Sequence, residues 1–188
     1  MSTRWLFGYG SLIWRPDFPH HESRVARVDG WVRRFWQGSH DHRGVPGAPG
    51  RVVTLIPEPD GHVEGLAFRM DDDAGVFERL DHREKNGYGL ADVILRFRDG
   101  SATEGHVYIA PRDNHAFLGP APLEEMAARI ARSAGPSGTN LDYVLRLAEA
   151  LRAHDIDDPH VFELEHRVRG AAPAQPRPVS SRAGCHLP

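Results

Sequence analysis

Two stretches of this chain carry residue types and spacings that suit chemistry. The first is Trp5-Leu6-Phe7-Gly8-Tyr9-Gly10-Ser11-Leu12, where three apolar residues run into two glycines that bracket a tyrosine, and a hydroxyl follows directly. Glycine lets a ligand approach the backbone closely. A run of bare N–H groups next to a Ser hydroxyl can hold an oxyanion or a carboxylate. The same residues also fit a strand that ends in a glycine turn with Tyr9 packed in the core. They are not a dinucleotide fingerprint, because the third glycine is missing, and no Gly-Lys-Ser/Thr of a P-loop follows. The second stretch is Leu80-Asp81-His82-Arg83-Glu84-Lys85-Asn86-Gly87-Tyr88. It crowds charges at the end of a helical pattern, just before the chain turns into a strand. Catalytic carboxylates are often placed at such junctions, although Glu84 equally fits a solvated face on which Asp81 and Lys85 pair at i, i+4.

Other chemistries find less support. Twelve histidines invite a metal, but HExxH is absent, and neither His20-His21 nor His40-Asp41-His42 has a third ligand at metal spacing, so no metal site is expected. Ser11 lacks the Gly-x-Ser-x-Gly elbow of a serine hydrolase. The lone cysteine, Cys185, excludes an internal disulfide, and its place in the C-terminal tail makes it a poor catalytic thiolate.

These residues must be positioned by one domain. At 188 residues, 40% hydrophobic and 26% charged, the composition is that of a soluble globular protein. A net charge of −3 makes no case for nucleic acid, and no apolar run approaches a membrane span. Without a signal core or further thiols, the expected compartment is the cytoplasm. Apolar residues at 5–7 predict a buried strand, and Arg24–Gln37 reads as one or two more. His40–Gly50 is a loop by composition. Arg51–Pro57 and His62–Met70 read as a hairpin across Pro59-Asp60-Gly61. A helix is expected from about Asp71 to Asn86-Gly87, then strands Tyr88–Arg98 and Ala102–Ile109 joined at Asp99-Gly100-Ser101. The last third turns helical: Pro122–Ala134, a helix capped by Thr139 or Asn140, and one from about Asp158 to Arg169. Strands first and helices last predict an α+β domain over residues 1–170, with 171–188 a flexible Pro-, Ala- and Ser-rich tail.

The blocks Phe7-Gly8-Tyr9-Gly10-Ser11-Leu12-Ile13-Trp14, Arg33-Arg34-Phe35-Trp36-Gln37-Gly38-Ser39 and Asp41-His42-Arg43-Gly44 resemble the ChaC-like family, the glutathione-specific γ-glutamylcyclotransferases. Pro49-Gly50-Arg51-Val52-Val53-Thr54-Leu55, Arg83-Glu84-Lys85, Gly87-Tyr88, Leu118–Leu123 and Ala134–Gly138 continue the resemblance in the family's order, over residues 5 to about 167. It implies a small mixed β-barrel or curled sheet with packed helices. It implies Glu84 as the proton-transferring catalyst, and Leu6, Phe7, Gly8, Tyr9, Gly10 and Ser11 as the residues that hold the γ-glutamyl group. His82 departs from the family, where an aromatic residue such as Phe is familiar.

The implied reaction takes glutathione to 5-oxoproline and cysteinylglycine, with no cofactor and no nucleic-acid or membrane partner. Attack by the substrate's own α-amine makes the step unimolecular, so the protein's tasks are positioning, oxyanion stabilisation and proton transfer. Arg43 or Arg51 is a candidate for the glycyl carboxylate, and Tyr143, off the main stripe of its helix, is a candidate to face the site. Alternatives are a cyclotransferase for other γ-glutamyl compounds, a non-catalytic γ-glutamyl binder and, further off, a metallohydrolase.

Overall fold

The computed structural model describes residues 3–71, 80 and 87–171. Five strands close into a barrel: β1 (Thr3–Gly8), β2 (Glu22–Ser39), β3 (Gly50–Asp71), β4 (Gly89–Phe97) and β5 (Ala102–Ile109), in the order β1-β3-β2-β4-β5. The closing seam is parallel, Leu6 facing His106 and Phe7 facing Val107, whereas all other barrel pairings are antiparallel. The barrel leaves β1 covered on both faces. That accounts for its unbroken apolar run Leu6-Phe7, with both residues at 1% exposure or less.

The expected hairpin at Pro59-Asp60-Gly61 is corrected. Residues 50–71 form one long strand that runs antiparallel to β2 over almost its whole length, from Glu22↔Arg69 to Ser39↔Gly50. The register slips between Asp29↔His62 and Trp31↔Pro57, so the turn-forming residues are accommodated as a bulge opposite Gly30, whose φ is +80°. Both halves of the strand find their hydrogen bonds on β2 rather than on each other. A true hairpin is formed by β4 and β5. Gly100 takes φ +86°, and the Phe97 N–H donates to the Ser101 carbonyl at 2.8 Å.

Three helices follow: α1 (Leu123–Arg132), α2 (Asn140–Ala153) and α3 (Pro159–Ala171), with the short strands β6 (Ala134–Gly135) and β7 (Gly138–Thr139) between the first two. Each helix buries one stripe. Met126, Ala127 and Ile130 face inward from α1, Val144, Leu147 and Leu151 from α2, and Val161, Leu164 and Val168 from α3. The helix expected over about 71–86 lies outside the described residues except for Leu80, which is buried in the core at 4% exposure. The expected tail also lies outside them from residue 172 onward.

Thr139 and Asn140, equivalent as cap candidates, divide the work. Thr139 caps α2 by accepting the Asp142 N–H at 3.1 Å. Asn140, fully buried, accepts the Arg51 N–H at 2.6 Å and donates to the Arg51 carbonyl at 2.7 Å, and so ties the start of α2 to the start of β3. Asn140→Ala leaves a buried donor and acceptor unpaired, at about 2–4 kcal/mol. Thermal unfolding of this variant is expected to fall by about 5–15 °C.

Candidate active site

The glycine loop follows directly from β1. After Gly8 the chain turns through Tyr9 and Gly10 into a single 3-10 turn, Ser11–Ile13, closed by the Ile13 N–H donating to the Gly10 carbonyl at 3.0 Å. Side chains are missing where there is no space for them. A Cβ on Gly8 would meet the Leu12 Cβ at 2.8 Å, and one on Gly10 would meet Val53 Cγ2 at 3.0 Å and the Tyr143 hydroxyl at 3.1 Å. Behind the loop, the Arg33 guanidinium from β2 is 1% exposed and fully engaged. Nε donates to the Tyr9 carbonyl at 2.7 Å, Nη2 to the Glu64 carbonyl at 2.6 Å, and Nη1 to Asp158 Oδ2 at 2.5 Å. Asp158 in turn accepts the Val161 N–H at 3.1 Å through Oδ1 and caps α3, which opens with Pro159.

In front of the loop lies a cavity of about 310 Å³, close to the lower end of the roughly 300–1,000 Å³ typical of small-molecule sites. Phe7, Gly8, Tyr9, Gly10 and Ser11 line it. Leu6 does not: its side chain is wholly buried in the barrel core. The chain has four tyrosines, and all of them, Tyr9, Tyr88, Tyr108 and Tyr143, line this cavity. The Tyr9 hydroxyl donates to the Tyr108 carbonyl at 2.8 Å, and the Tyr88 hydroxyl to the Val53 carbonyl at 3.1 Å. Tyr143 meets Trp14 edge-on, with ring centres 5.4 Å apart.

The opposite wall comes from the 40–50 loop and the β6–β7 hairpin. Three backbone segments cross there without side chains between them. A Cβ on Gly135 would lie 2.5 Å from the Gly44 and His42 carbonyls, and one on Gly44 would lie 2.2 Å from the Gly50 nitrogen. This crossing places Ser137 beside His42, whose Nδ1 is 3.0 Å from the Ser137 hydroxyl, and sets Arg43 at the cavity wall. Arg43 Nη1 donates to the Thr139 carbonyl at 3.1 Å and lies 3.3 Å from Asp142 Oδ2, with its guanidinium over the Tyr143 ring.

Arg51 is not brought to the cavity. It turns the other way, and its Nη1 donates to the Phe35 and Gly119 carbonyls at 2.8 and 2.9 Å. Burial, with the Arg129 charge nearby, pushes its pKa down to about 10. Glu84 and His82 lie outside the described residues. Among the described residues no group of three or more His, Cys, Asp or Glu side chains converges as a metal site.

Sequence reasoning gave no site role to Arg33, Tyr88 or Tyr108. A signal for Arg33 was present: Arg33, Phe35 and Gln37 alternate along one face of β2, and all three are at most 1% exposed. A polar residue on a strand's buried face needs a partner, and so points to a built network.

A five-stranded closed barrel with a glycine loop at the end of β1 is the γ-glutamylcyclotransferase-like fold. A solved structure named gamma-glutamyl cyclotransferase shares it at a TM-score of 0.57 and 14% identity, covering 87% of each chain, a likeness of fold alone. The family model described as ChaC-like protein matches residues 4–171, and the chain belongs to that family. It is 42% identical over 172 residues to zebrafish (Danio rerio) glutathione-specific gamma-glutamylcyclotransferase 1, covering 87% of this chain and 88% of the relative. The fission yeast (Schizosaccharomyces pombe) glutathione-specific gamma-glutamylcyclotransferase is 38% identical over 190 residues, covering 89% and 93%. The crystal structure of a yeast γ-glutamyl cyclotransferase specific to glutathione superposes at a TM-score of 0.86 and 32% identity, covering 92% and 98%.

One titratable group supports the wall behind the loop. His160 Nε2 accepts the Phe35 N–H at 3.3 Å, and burial, with the Arg34 charge next in weight, lowers its pKa from 6.5 to about 4. Protonating Nε2 would break that bond and add a cation beside Arg33 and Arg34. The folded value lies below the unfolded one, so the unfolded chain binds more protons between about pH 4 and 6.5, and stability falls as the pH drops through that window. At pH 4.5 this one group is expected to cost about 2–3 kcal/mol relative to pH 7. Urea denaturation at the two pH values should show that share of the loss disappear in His160→Gln, which keeps an acceptor for the Phe35 N–H but does not titrate.

Proposed function

We propose that this protein is a glutathione-degrading γ-glutamylcyclotransferase that releases 5-oxoproline and cysteinylglycine. The observation that carries the reading is the cavity itself. Its wall of backbone donors, Gly8 to Ser11, belongs to a chain that matches glutathione-specific cyclotransferases over nearly their full length.

The bound γ-glutamyl group folds so that its α-amine nitrogen attacks the γ-carbonyl carbon. Because nucleophile and electrophile are tethered, the site gains rate by holding the folded conformer. Gly8 to Ser11 receive negative charge through backbone N–H groups and the Ser11 hydroxyl, at the α-carboxylate and at the tetrahedral oxyanion. Tyr9 and Tyr143 pack over the methylenes. Arg43, at the wall opposite the loop, receives the glycyl carboxylate; its Nε and Nη2 make no hydrogen bond among the described residues.

Glu84 is the proton carrier in this reading. It takes a proton from the α-amine as the C–N bond of the lactam forms. It returns the proton to the cysteinyl nitrogen as the amide C–N bond breaks. Covalent geometry supports the assignment: Glu84 precedes Tyr88, a cavity residue, by four positions, a span of at most about 14 Å between Cα atoms. The reading implies the cytosol as compartment. Among the described residues no helix is long and apolar enough to cross a membrane.

Purified protein given reduced glutathione in excess chelator should form 5-oxoproline and cysteinylglycine in equal amounts, followed by mass spectrometry. Glu84→Gln should stay folded and lose about 10²–10⁴-fold in kcat. Free glutamate in place of 5-oxoproline would mean hydrolysis and reject ring closure. Conversion of γ-glutamyl-alanine with no turnover of glutathione would reassign the substrate to other γ-glutamyl amides.

A further inference from the structure

We infer that Arg33 is a positioning residue. Its guanidinium holds the Tyr9 carbonyl from the core side, so that the Gly10 N–H is presented to the cavity as an oxyanion donor, with Asp158 holding the guanidinium in register. The oxyanion role rests on the cyclotransferase reading above; the clamp itself does not.

The geometry is covalent in origin. The peptide between Tyr9 and Gly10 is trans, as are all those described, so its C=O and N–H point to opposite sides. Arg33 Nε takes the carbonyl at 2.7 Å on the buried side, where Arg33 is 1% exposed and does not line the cavity. Gly10 does line it, and its N–H has no partner among the described residues. A cationic donor on a carbonyl also polarises the amide and makes the opposite N–H a stronger donor.

Three acceptors, Tyr9 O, Glu64 O and Asp158 Oδ2, fix the guanidinium at three of its nitrogens. The plane of the clamp is therefore set by β3 and by the N-terminus of α3, 125 residues further along the chain. A lysine in its place has one nitrogen and cannot meet all three acceptors.

The test compares the wild type with Arg33→Lys and with the double variant Arg33→Met/Asp158→Asn, which removes the cation without stranding a carboxylate and keeps a cap for Val161. Glycine-selective ¹⁵N labelling gives the first readout, and it is independent of catalysis. The Gly10 amide resonance is expected to move in both variants, while that of Gly100, in the β4–β5 hairpin, stays in place. An unmoved Gly10 resonance overturns the clamp.

Kinetics give the second readout. kcat with glutathione is expected to fall about 100-fold in the double variant, with KM within about twofold, and Arg33→Lys should recover part of the loss. Because a misfolded fraction would lower kcat in the same way, rates are normalised to the fraction of protein that binds 5-oxoproline. A raised KM at unchanged kcat overturns the oxyanion role.

Should the variants fail to fold, the wild type still decides. 5-oxoproline carries the substrate's γ-carbonyl oxygen as its lactam oxygen, and titrating it should shift the Gly10 amide. Other cavity resonances moving without Gly10 rejects the proposal. If no cavity resonance moves and glutathione is not consumed, the cyclotransferase reading fails and the donor role assigned to Gly10 fails with it, while the wild-type scalar coupling between Arg33 Nε–H and the Tyr9 carbonyl still decides the clamp.

Discussion

A single buried cation holds the working end of this barrel together. Burying a guanidinium costs several kcal/mol unless its charge is paired and its donors are met. Arg33 satisfies both conditions by reaching three elements at once: the loop after β1, the middle of β3, and the residue that caps α3. The arrangement is better explained by geometry than by stability, since an apolar side chain of similar volume often serves stability as well. What an apolar residue does not supply is a fixed direction for the Tyr9 peptide. The structure spends a desolvated charge at the point where a backbone must be aimed.

The opposite wall is built by a different device. Gly44, Gly50 and Gly135 let three backbones touch, and Asn140 pins α2 to β3 through both backbone atoms of Arg51. Neither wall relies on surface ion pairs, which are numerous here and contribute little individually. The cavity between them is lined by aromatic rings and backbone, with Arg15, Asp17 and Asp41 also lining it and Arg43 as its buried cation. A site of this kind suits a substrate that carries its own nucleophile, because the protein has shape and a few donors to provide rather than a reactive group for each step.

Much of this was legible before the fold was known. The apolar run into Gly8-Tyr9-Gly10-Ser11 marked the loop, although the same residues also fit a plain glycine turn, and the family resemblance is what singled the loop out. The Asp99-Gly100-Ser101 turn and the helical stripes were read from local rules, and those elements were found where expected. Failures came where local rules met long-range pairing. Pro59-Asp60-Gly61 has the composition of a turn, yet β2 is long enough to pair with the chain on both sides of it, and the result is a bulge. Arg33 and Arg51 looked alike on paper, but only tertiary placement separates an arginine that supports the loop from one that braces Gly119. The resemblance extended the binding loop back to Leu6, whose side chain is wholly buried in the barrel core.

The distance along the chain between Arg33 and Asp158 has a consequence for how the protein is made. Strand β1 precedes both strands it closes onto, β3 and β5, and the loop behind it is braced only once the start of α3 exists. A chain that ends at β5 lacks Asp158, the counter-charge of this buried cation. Contacts of such high sequence separation form late and slow the whole reaction. The loop that follows β1 therefore depends on one of the most distant contacts along the chain.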